Sequence, residues 1–485
     1  TIVATAPPRK RLVLCVDGPA PLSKQNQQRQ RRFMSALERE RDKTEEKEVS
    51  SFDSNSISPG TKFMDHLTKY VEWYIRKRVT ESWAFEVIFS NEKVCGEGEH
   101  KCYQFIRKFG VPTETYCIHG MDADLIMLSM GTQLPSFWIL REEPNRRDVE
   151  FYAIDVADAR RELVEMMRWQ GKDYTYDDRS AINDFIFMCF TVGNDFLPHI
   201  PAIEIIQNGI EFMLDVYKNT GSAYGHLTET TTSGLRFRKK ALAVFLGTVS
   251  QYEKGVLEDK LTQKDKFFPD TLLERYASVK EGKWELDLES YRNAYYREKV
   301  GISEEKLEKF SHEYLEGMQW VLTYYSQGVP SWTWKFPYHY APFSSTITKY
   351  VESFSFRDYA PSNPSTPFFQ LLSILPPKSA SLLPAPLNSL LASPESPLAP
   401  YCPEKVEVDL SGKRQSWEGV VLLPMIDQAL VKGVYNEKVE KVEERERGRD
   451  KLGQSFTYRR GPRKYMYKSF YGDFVAITEV KPIQL

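Results

Sequence analysis

The sequence is short of the residues that staple secreted proteins or bind soft metals. It has six cysteines in 485 residues, and no two are spaced as C-x-x-C. Cys15, Cys117 and Cys189 lie inside apolar segments, where a cysteine behaves as a small hydrophobe. This excludes a disulfide framework and a zinc finger, and it points to a reducing compartment inside the cell, the cytoplasm ahead of the nucleus. No apolar run reaches the 18 or more residues of a membrane-spanning helix, so no membrane contact is expected. The apolar run at 12–16 is too short for a signal peptide and ends in an aspartate. An excess of either charge is also missing: Lys and Arg number 65, Asp and Glu 67, and the formal net charge is -2. That balance excludes little, because basic clusters at 9–11, 24–32 and 459–468 can coexist with acidic ones. No internal repeat is found.

What is present is enough apolar matter for a large core: 41% hydrophobic and 13% aromatic residues. The length predicts two or three domains, or one large domain with elaborations. Short continuous apolar runs at 12–16, 84–90 and 116–119 read as buried strands. Helical patterns at 25–38, 61–78 and 100–108 alternate with them. This alternation predicts an α/β fold with a mostly parallel central sheet. In such sheets ligands gather at the carboxyl ends of the strands. Beyond Gly234 long amphipathic helices are predicted at 235–254, 304–326 and 415–431. The Pro- and Ser-rich stretch 360–403 has the composition of a linker, but the inserts FFQLLSILPP and SLLPAPL predict packed extended structure. The charge run 442–451 reads as a solvated helix or loop. The expected division is an α/β core over 1–232 and a helical and extended region over 233–485 packing on it.

Carboxylates collect where the strands end. Asp17 follows the first, Glu97 and Glu99 the second, and Asp122 and Asp124 the third; Asp195 follows an apolar helix at 182–192. A single aspartate at a strand end is ordinarily a helix cap or turn former. Six acids after three strands and a helix point instead to metal ligation. Spacings of two bring a pair to one ion, or one carboxylate to each of two adjacent ions. Carboxylate oxygens suit hard cations, Mg2+ first and Mn2+ as its substitute. Two such ions can activate water and stabilise the leaving oxygen of a phosphodiester. His100 and His199 are expected to have structural roles.

A few residues after Asp17 comes SKQNQQRQRRF. Lys24, Gln28, Arg31 and Arg32 fall at i, i+4, i+7 and i+8 and so share one helix face. The common fate of such a run is a solvated basic helix. Here it starts beside the first acid, which favours a pocket for a terminal phosphate gripped by charged and amide donors.

Together these features resemble the Xrn family of 5′→3′ exoribonucleases. The resemblance is carried by VDGPAPLSKQNQQRQRRF, FDSNSISPGTKFM, CGEGEHK, HGMDADLIML, GNDFLPHIP, YYSQGVPSWTWKFPYHYAPF, PFFQLLSILPP and VDLSGKRQSWEGVVLLP. These blocks run from Val16 to Pro424. The resemblance implies an α/β nuclease core related to flap endonucleases, followed by a more helical region. It implies processive, Mg2+-dependent degradation of single-stranded RNA from a 5′ monophosphate, with release of nucleoside monophosphates in RNA decay or processing. The family's metal ligands carry over to Asp17, Glu97, Glu99, Asp122, Asp124 and Asp195, which would be the catalytic acids. Its 5′-phosphate pocket carries over to Lys24, Gln28, Arg31 and Arg32. The block with Trp332 and Trp334 resembles the part that stacks a tryptophan on the terminal base, an interaction tolerant of sequence. On composition alone both tryptophans would be core residues. The stretch 360–403 matches ordered family sequence, so the linker reading is dropped.

The sequence also departs from the family pattern. Family members begin with a further segment that supplies another aspartate at a strand end and a histidine that stacks on the 5′ base. The sequence starts just before the strand that ends at Asp17, so it is expected either to be a fragment of a longer chain or to be catalytically weakened, and a missing first strand would leave a neighbouring strand edge unpaired. Arg141-Glu142-Glu143 is followed by PNRRDVEF, without the cysteines of the zinc-knuckle insertion that many nuclear members carry at this point. The chain therefore resembles a compact or divergent member. Two alternatives are a structure-specific DNA 5′ nuclease and a catalytically impaired RNA-binding protein.

Overall fold

The computed structural model describes residues 1–44, 52–143, 150–171, 174–203 and 209–485. The residues after Glu143 that would hold a knuckle insertion, 144–149, lie outside the described set. Seven strands frame the site: β1 (Arg11–Cys15), β2 (Glu86–Ser90), β3 (Tyr116–His119), β4 (Phe137–Glu142), β5 (Phe151–Asp155), β6 (Ser455–Tyr467) and β7 (Phe474–Ile483). The helices around them are α1 (Leu22–Thr44), α2 (Lys62–Glu81), α3 (Gly98–Phe109), α4 (Asp124–Thr132), α5 (Asp178–Cys189), α6 (Leu307–Ser326) and α7 (Pro367–Ile374).

The three predicted strands form where expected. β1 and β2 pair in parallel, Arg11 opposite Glu86 through Cys15 opposite Ser90. β3 and β4 are also parallel. The remaining pairings of these two sheets, β4–β5, β2–β6 and β6–β7, are antiparallel. The architecture is α/β with parallel pairs, but the sheets are mixed rather than mostly parallel. β5 returns directly on β4, and β7 on β6, and short returns run antiparallel; β6 comes instead from the far end of the chain to pair with β2. The strand orders are β1-β2-β6-β7 and β3-β4-β5. Among the described residues no strand bridges β1 and β3, so each has one unpaired edge.

Helix starts follow local chemistry. Thr61 caps α2 by accepting from the Met64 amide, and Asp177 caps α5 by accepting from that of Ser180. Apolar side chains of α3, α4 and α5 share one core with α6, whose Tyr314, Leu315, Met318, Trp320, Val321 and Tyr324 are buried. A helix from the second half of the chain is thus wedged beneath the N-terminal strand ends.

Three predicted elements differ. At 235–254, Leu235 to Phe237 belong to a hairpin strand (Gly234–Phe237), and a helix follows at Lys239–Ser250. Gly234, at φ 115°, makes the turn that a continuous helix would not contain. At 415–431 the chain forms a short strand (Val420–Leu422) before a helix at Gln428–Val439, because Pro424 breaks the first half and Asp427 caps the second. The run 442–451 is only partly solvated: Val442 and Arg449 are buried, and Arg449 donates to Gly60 O at 2.7 Å. The stretch 360–403 is packed, as expected, though with short helical turns; Phe368, Leu371, Leu383, Leu390 and Leu398 sit in a second core. All six cysteines are free. Among the described residues no helix is long and apolar enough to cross a membrane.

Candidate active site

The loops leaving β1, β2 and β3 meet at one end of the sheets, where the six acids feel one another's charge. Asp17 follows β1, and its Oδ1 accepts a 2.6 Å hydrogen bond from the Gly98 amide. The Gly18 amide donates to Gly96 O at 2.9 Å. A Cβ at Gly18 would fall 1.7 Å from Val94 O, so only glycine allows the two loops to lie this close. Glu97 is buried at the N-cap of α3, and Glu99 lies in that helix's first turn. Asp124 opens α4. Asp195 follows α5 through a 3-10 turn. Asp122 is exposed on the rim, two residues before α4.

The basic helix runs directly into this cluster. Lys24, on the first turn of α1, is buried, and its Nζ pairs with both Glu97 and Asp195. Burial pulls the Lys24 pKa down, but the two carboxylates outweigh it and hold the ammonium well above its ordinary value. Gln27 Nε2 donates to Asp195 Oδ1 at 2.7 Å. Arg31 NH2 lies 3.6 Å from the same oxygen, with most of its side chain exposed. Arg32 donates to Ser58 Oγ through Nε at 3.1 Å and NH2 at 2.7 Å, and feels the charge of Asp17. Gln28 is buried, and its Oε1 accepts from Gln370 Nε2 of α7 at 3.1 Å. Lys24, Gln28, Arg31 and Arg32 therefore share a face, as their spacing predicts. Lys24 at its start abuts the acids, while Arg31 remains largely open to solvent.

The cluster carries too much negative charge for one lysine. Glu99 is pushed up to about 8, by burial first and then by Glu97, Asp124 and Asp17. Burial also raises Glu97 and Asp124, the latter helped by Asp195. Asp124 Oδ1 is buried with no hydrogen-bond partner. A buried lone oxygen among crowded carboxylates, all hard donors, fits a divalent cation. Among the described residues no three side chains converge as a ready-made chelate, because Glu97 and Asp195 are drawn to Lys24.

The two tryptophans have different surroundings. Trp334 stacks on buried Trp320 with centroids 5.2 Å apart and packs against the main core. Trp332 lines a cavity of about 1040 Å3, together with Gly96, His100, Gln104, Arg107 and Tyr324. Its carbonyl accepts the Leu22 amide at 2.9 Å, which ties it to the start of α1. His199 is held by a structural contact, its Nδ1 3.2 Å from Ile200 O. His100 is buried and stacks on Tyr324, centroids 3.8 Å apart, and its Nδ1 has no hydrogen-bond partner.

Sequence reasoning missed Tyr324, whose hydroxyl donates to Glu97 Oε1 at 2.9 Å, and Gln27, Ser58 and Gln370, which fix Asp195, Arg32 and Gln28. All four lie in blocks that carry the family resemblance, and Tyr324, in the block of Trp332, is the one aromatic among them. The others are ordinary polar residues until folding brings them close.

Comparison with known proteins agrees with this geometry. Residues 1–143 match the family described as XRN 5'-3' exonuclease N-terminus, and residues 175–285 and 276–474 match the Xrn1 helical domain. The chain is 29% identical to the 5'-3' exoribonuclease 2 homolog of Drosophila melanogaster, over 93% of this chain and 63% of the relative. It is 28% identical to 5'-3' exoribonuclease 1 of Saccharomyces cerevisiae, over 98% and 41% respectively. It is 31% identical to 5'-3' exoribonuclease 1 of Homo sapiens, over 87% and 29%. The chain thus spans less than two thirds of the length of these relatives. Both family matches and the coverage of this chain lead to one conclusion: it belongs to the Xrn family.

Proposed function

We propose that the chain is a 5′→3′ exoribonuclease that hydrolyses 5′-monophosphorylated single-stranded RNA, processively, to nucleoside monophosphates, in RNA decay or processing within the cytoplasm or nucleus. One observation carries this reading: Lys24 of the basic helix is bonded to two acids of the strand-end cluster. A phosphate site and a hydrolytic site thus share a wall. The names of the relatives agree with it. We infer as well that the core is of the PIN and flap-endonuclease type.

In this reading Arg31, Arg32, Gln28 and Lys24 hold the terminal phosphate. Arg31 is the most exposed of the four and approaches it first. Trp332 offers the terminal base a π-face at the wall of the large cavity, and stacking accepts any base. Asp17, Glu97, Glu99, Asp124 and Asp195 would hold Mg2+, or Mn2+, with Asp122 at the rim. The bound cation supplies Lewis-acid polarisation of the phosphate and an activated water. Tyr324 and the Gly98 amide fix the Glu97 and Asp17 carboxylates in place. Lys24 holds Glu97 and Asp195 together, and its ammonium would turn to the substrate phosphate when a cation takes up the two carboxylates.

The test is a time course on 3′-labelled RNA bearing a 5′ monophosphate, a 5′ triphosphate or a 5′ hydroxyl, with and without Mg2+. Stepwise release of nucleoside 5′-monophosphates from the monophosphate end alone is expected. Equal rates on all three ends would remove the pocket. Preferential cutting of a flap DNA would favour the DNA nuclease. Tight RNA binding without hydrolysis would favour the impaired RNA-binding protein.

A further inference from the structure

We propose that α2 and the β6–β7 hairpin form a second surface for single-stranded RNA, outside the acidic cluster. β6 runs antiparallel to β2, with Phe456 opposite Phe89 and Tyr458 opposite Val87. Past the irregularity between Arg460 and Tyr465 the hairpin follows α2 from Thr80 toward its start, so that its turn reaches Tyr70 and His66.

The surface joins two features that occur together in single-strand binders. The first is an array of aromatic rings across α2 and the hairpin. Tyr70 meets Tyr471 edge-on at 5.2 Å, Trp73 lies 6.5 Å from Phe474, and Phe470 lies 5.5 Å from Tyr471. The array is fixed in place: Trp73 Nε1 donates to Gly472 O at 2.9 Å, and the Tyr471 hydroxyl to His66 O at 3.0 Å. Its rings nonetheless face water, with Tyr70 44%, Tyr74 40% and Phe470 98% exposed. The second feature is uncommitted positive charge. No acidic residue occurs between Ser455 and Gly472, whereas Arg463, Lys464 and Lys468 are exposed there. Arg459 pairs with Glu479, and Arg460 donates to Thr80 O. Among the described residues no ion pair engages Arg463, Lys464 or Lys468. Lys77 adds a cation 5.1 Å from the Trp73 ring.

Rings of open π-face stack bases, and nearby unpaired cations meet the backbone phosphates. A protein partner fits the patch less well, because protein interfaces are depleted of lysine. The ligand class is therefore a flexible polyanion with aromatic bases. The role would be to hold the RNA body while its 5′ end is at the acids, although binding here does not require the exonuclease reading.

The test uses a 3′-fluorescein oligo(U) 20-mer with a 5′ hydroxyl, titrated in EDTA so that no cleavage occurs. Tyr70→Ala with Phe470→Ala is expected to weaken binding about tenfold. Lys464→Ala with Lys468→Ala is expected to weaken it similarly and to lower the slope of log affinity against log salt by about 1.4. Both variants should leave Mg2+-dependent release of monophosphates from a 5′-phosphorylated tetranucleotide at the wild-type rate, so failure of this surface and failure of the catalytic reading are separable. Unchanged affinity in both double variants overturns the proposal. So does loss of affinity in the aromatic variant with unchanged affinity and salt slope in the lysine variant, because apolar contact without phosphate contact is not RNA binding.

Discussion

Tyr324 and Glu97 lie 227 positions apart, yet the Tyr324 hydroxyl donates a 2.9 Å hydrogen bond to Glu97 Oε1. The same ring stacks on His100, three residues beyond Glu97. The helical half of the chain thus fixes an acid of the strand-end cluster. Residues that orient a metal-holding group commonly carry 10–100-fold in affinity or activity. Tyr324→Phe keeps the ring and its stacking but removes the donor. Turnover of 5′-monophosphorylated RNA is expected to fall about tenfold, with a higher Mg2+ concentration at half-maximal rate and unchanged thermal stability. An Mg2+ titration of initial rates checks this.

Asp124 presents a buried oxygen without a partner, amid carboxylates that repel it. Such a group weakens the cation-free protein and is kept for its function. Asp124→Asn is expected to abolish hydrolysis while leaving RNA affinity intact. In EDTA the variant should melt a few degrees above wild type, and Mg2+ should raise the melting temperature of wild type more than that of the variant. Calorimetry with and without Mg2+ tests this apart from activity.

Arg31 is the most exposed member of the phosphate face, with its side chain 69% accessible. Its removal costs little packing. Arg31→Ala is expected to leave stability within about 0.5 kcal/mol and to cut the preference for a 5′ monophosphate over a 5′ hydroxyl about tenfold, mainly through KM, since it removes one charge-assisted contact. Competition between the two RNAs measures the ratio.

A pH effect on stability is expected from Asp409, which is not one of the six acids. Burial would raise the Asp409 carboxyl, but the Ser411 amide at 2.9 Å, the Tyr340 hydroxyl at 2.6 Å and Lys299 at 3.0 Å outweigh it and hold the group well below the usual carboxylate range. A depressed folded pKa contributes stability that is present above about pH 4 and lost as pH falls below it. Asp409→Asn is expected to destabilise the protein at pH 7 by on the order of 2 kcal/mol and to flatten its acid limb between about pH 4 and pH 2. Urea melts across that range report the slope.

Much of this was legible from local pattern. The strands β1, β2 and β3 were readable because short apolar runs bounded by turn residues have few other uses. The shared face of Lys24, Gln28, Arg31 and Arg32 follows from helical periodicity alone. The elements misread at 235–254 and 415–431 were those where a glycine or proline interrupts an apolar pattern that fits either a helix or a hairpin. Short apolar segments carry no period long enough to separate the two.

The sequence by itself determined which residues could act: the strand-end acids, the basic helix and the pair of tryptophans, because residue type and near-neighbour spacing are local properties. Only the tertiary structure decided which of them meet. It put Lys24 between Glu97 and Asp195, packed Trp334 against the core and Trp332 at a cavity wall, left Asp122 on the rim, and brought Tyr324 to Glu97. Those outcomes depend on how distant helices pack to bury their apolar faces. Packing is a property of the whole chain, which no local window contains.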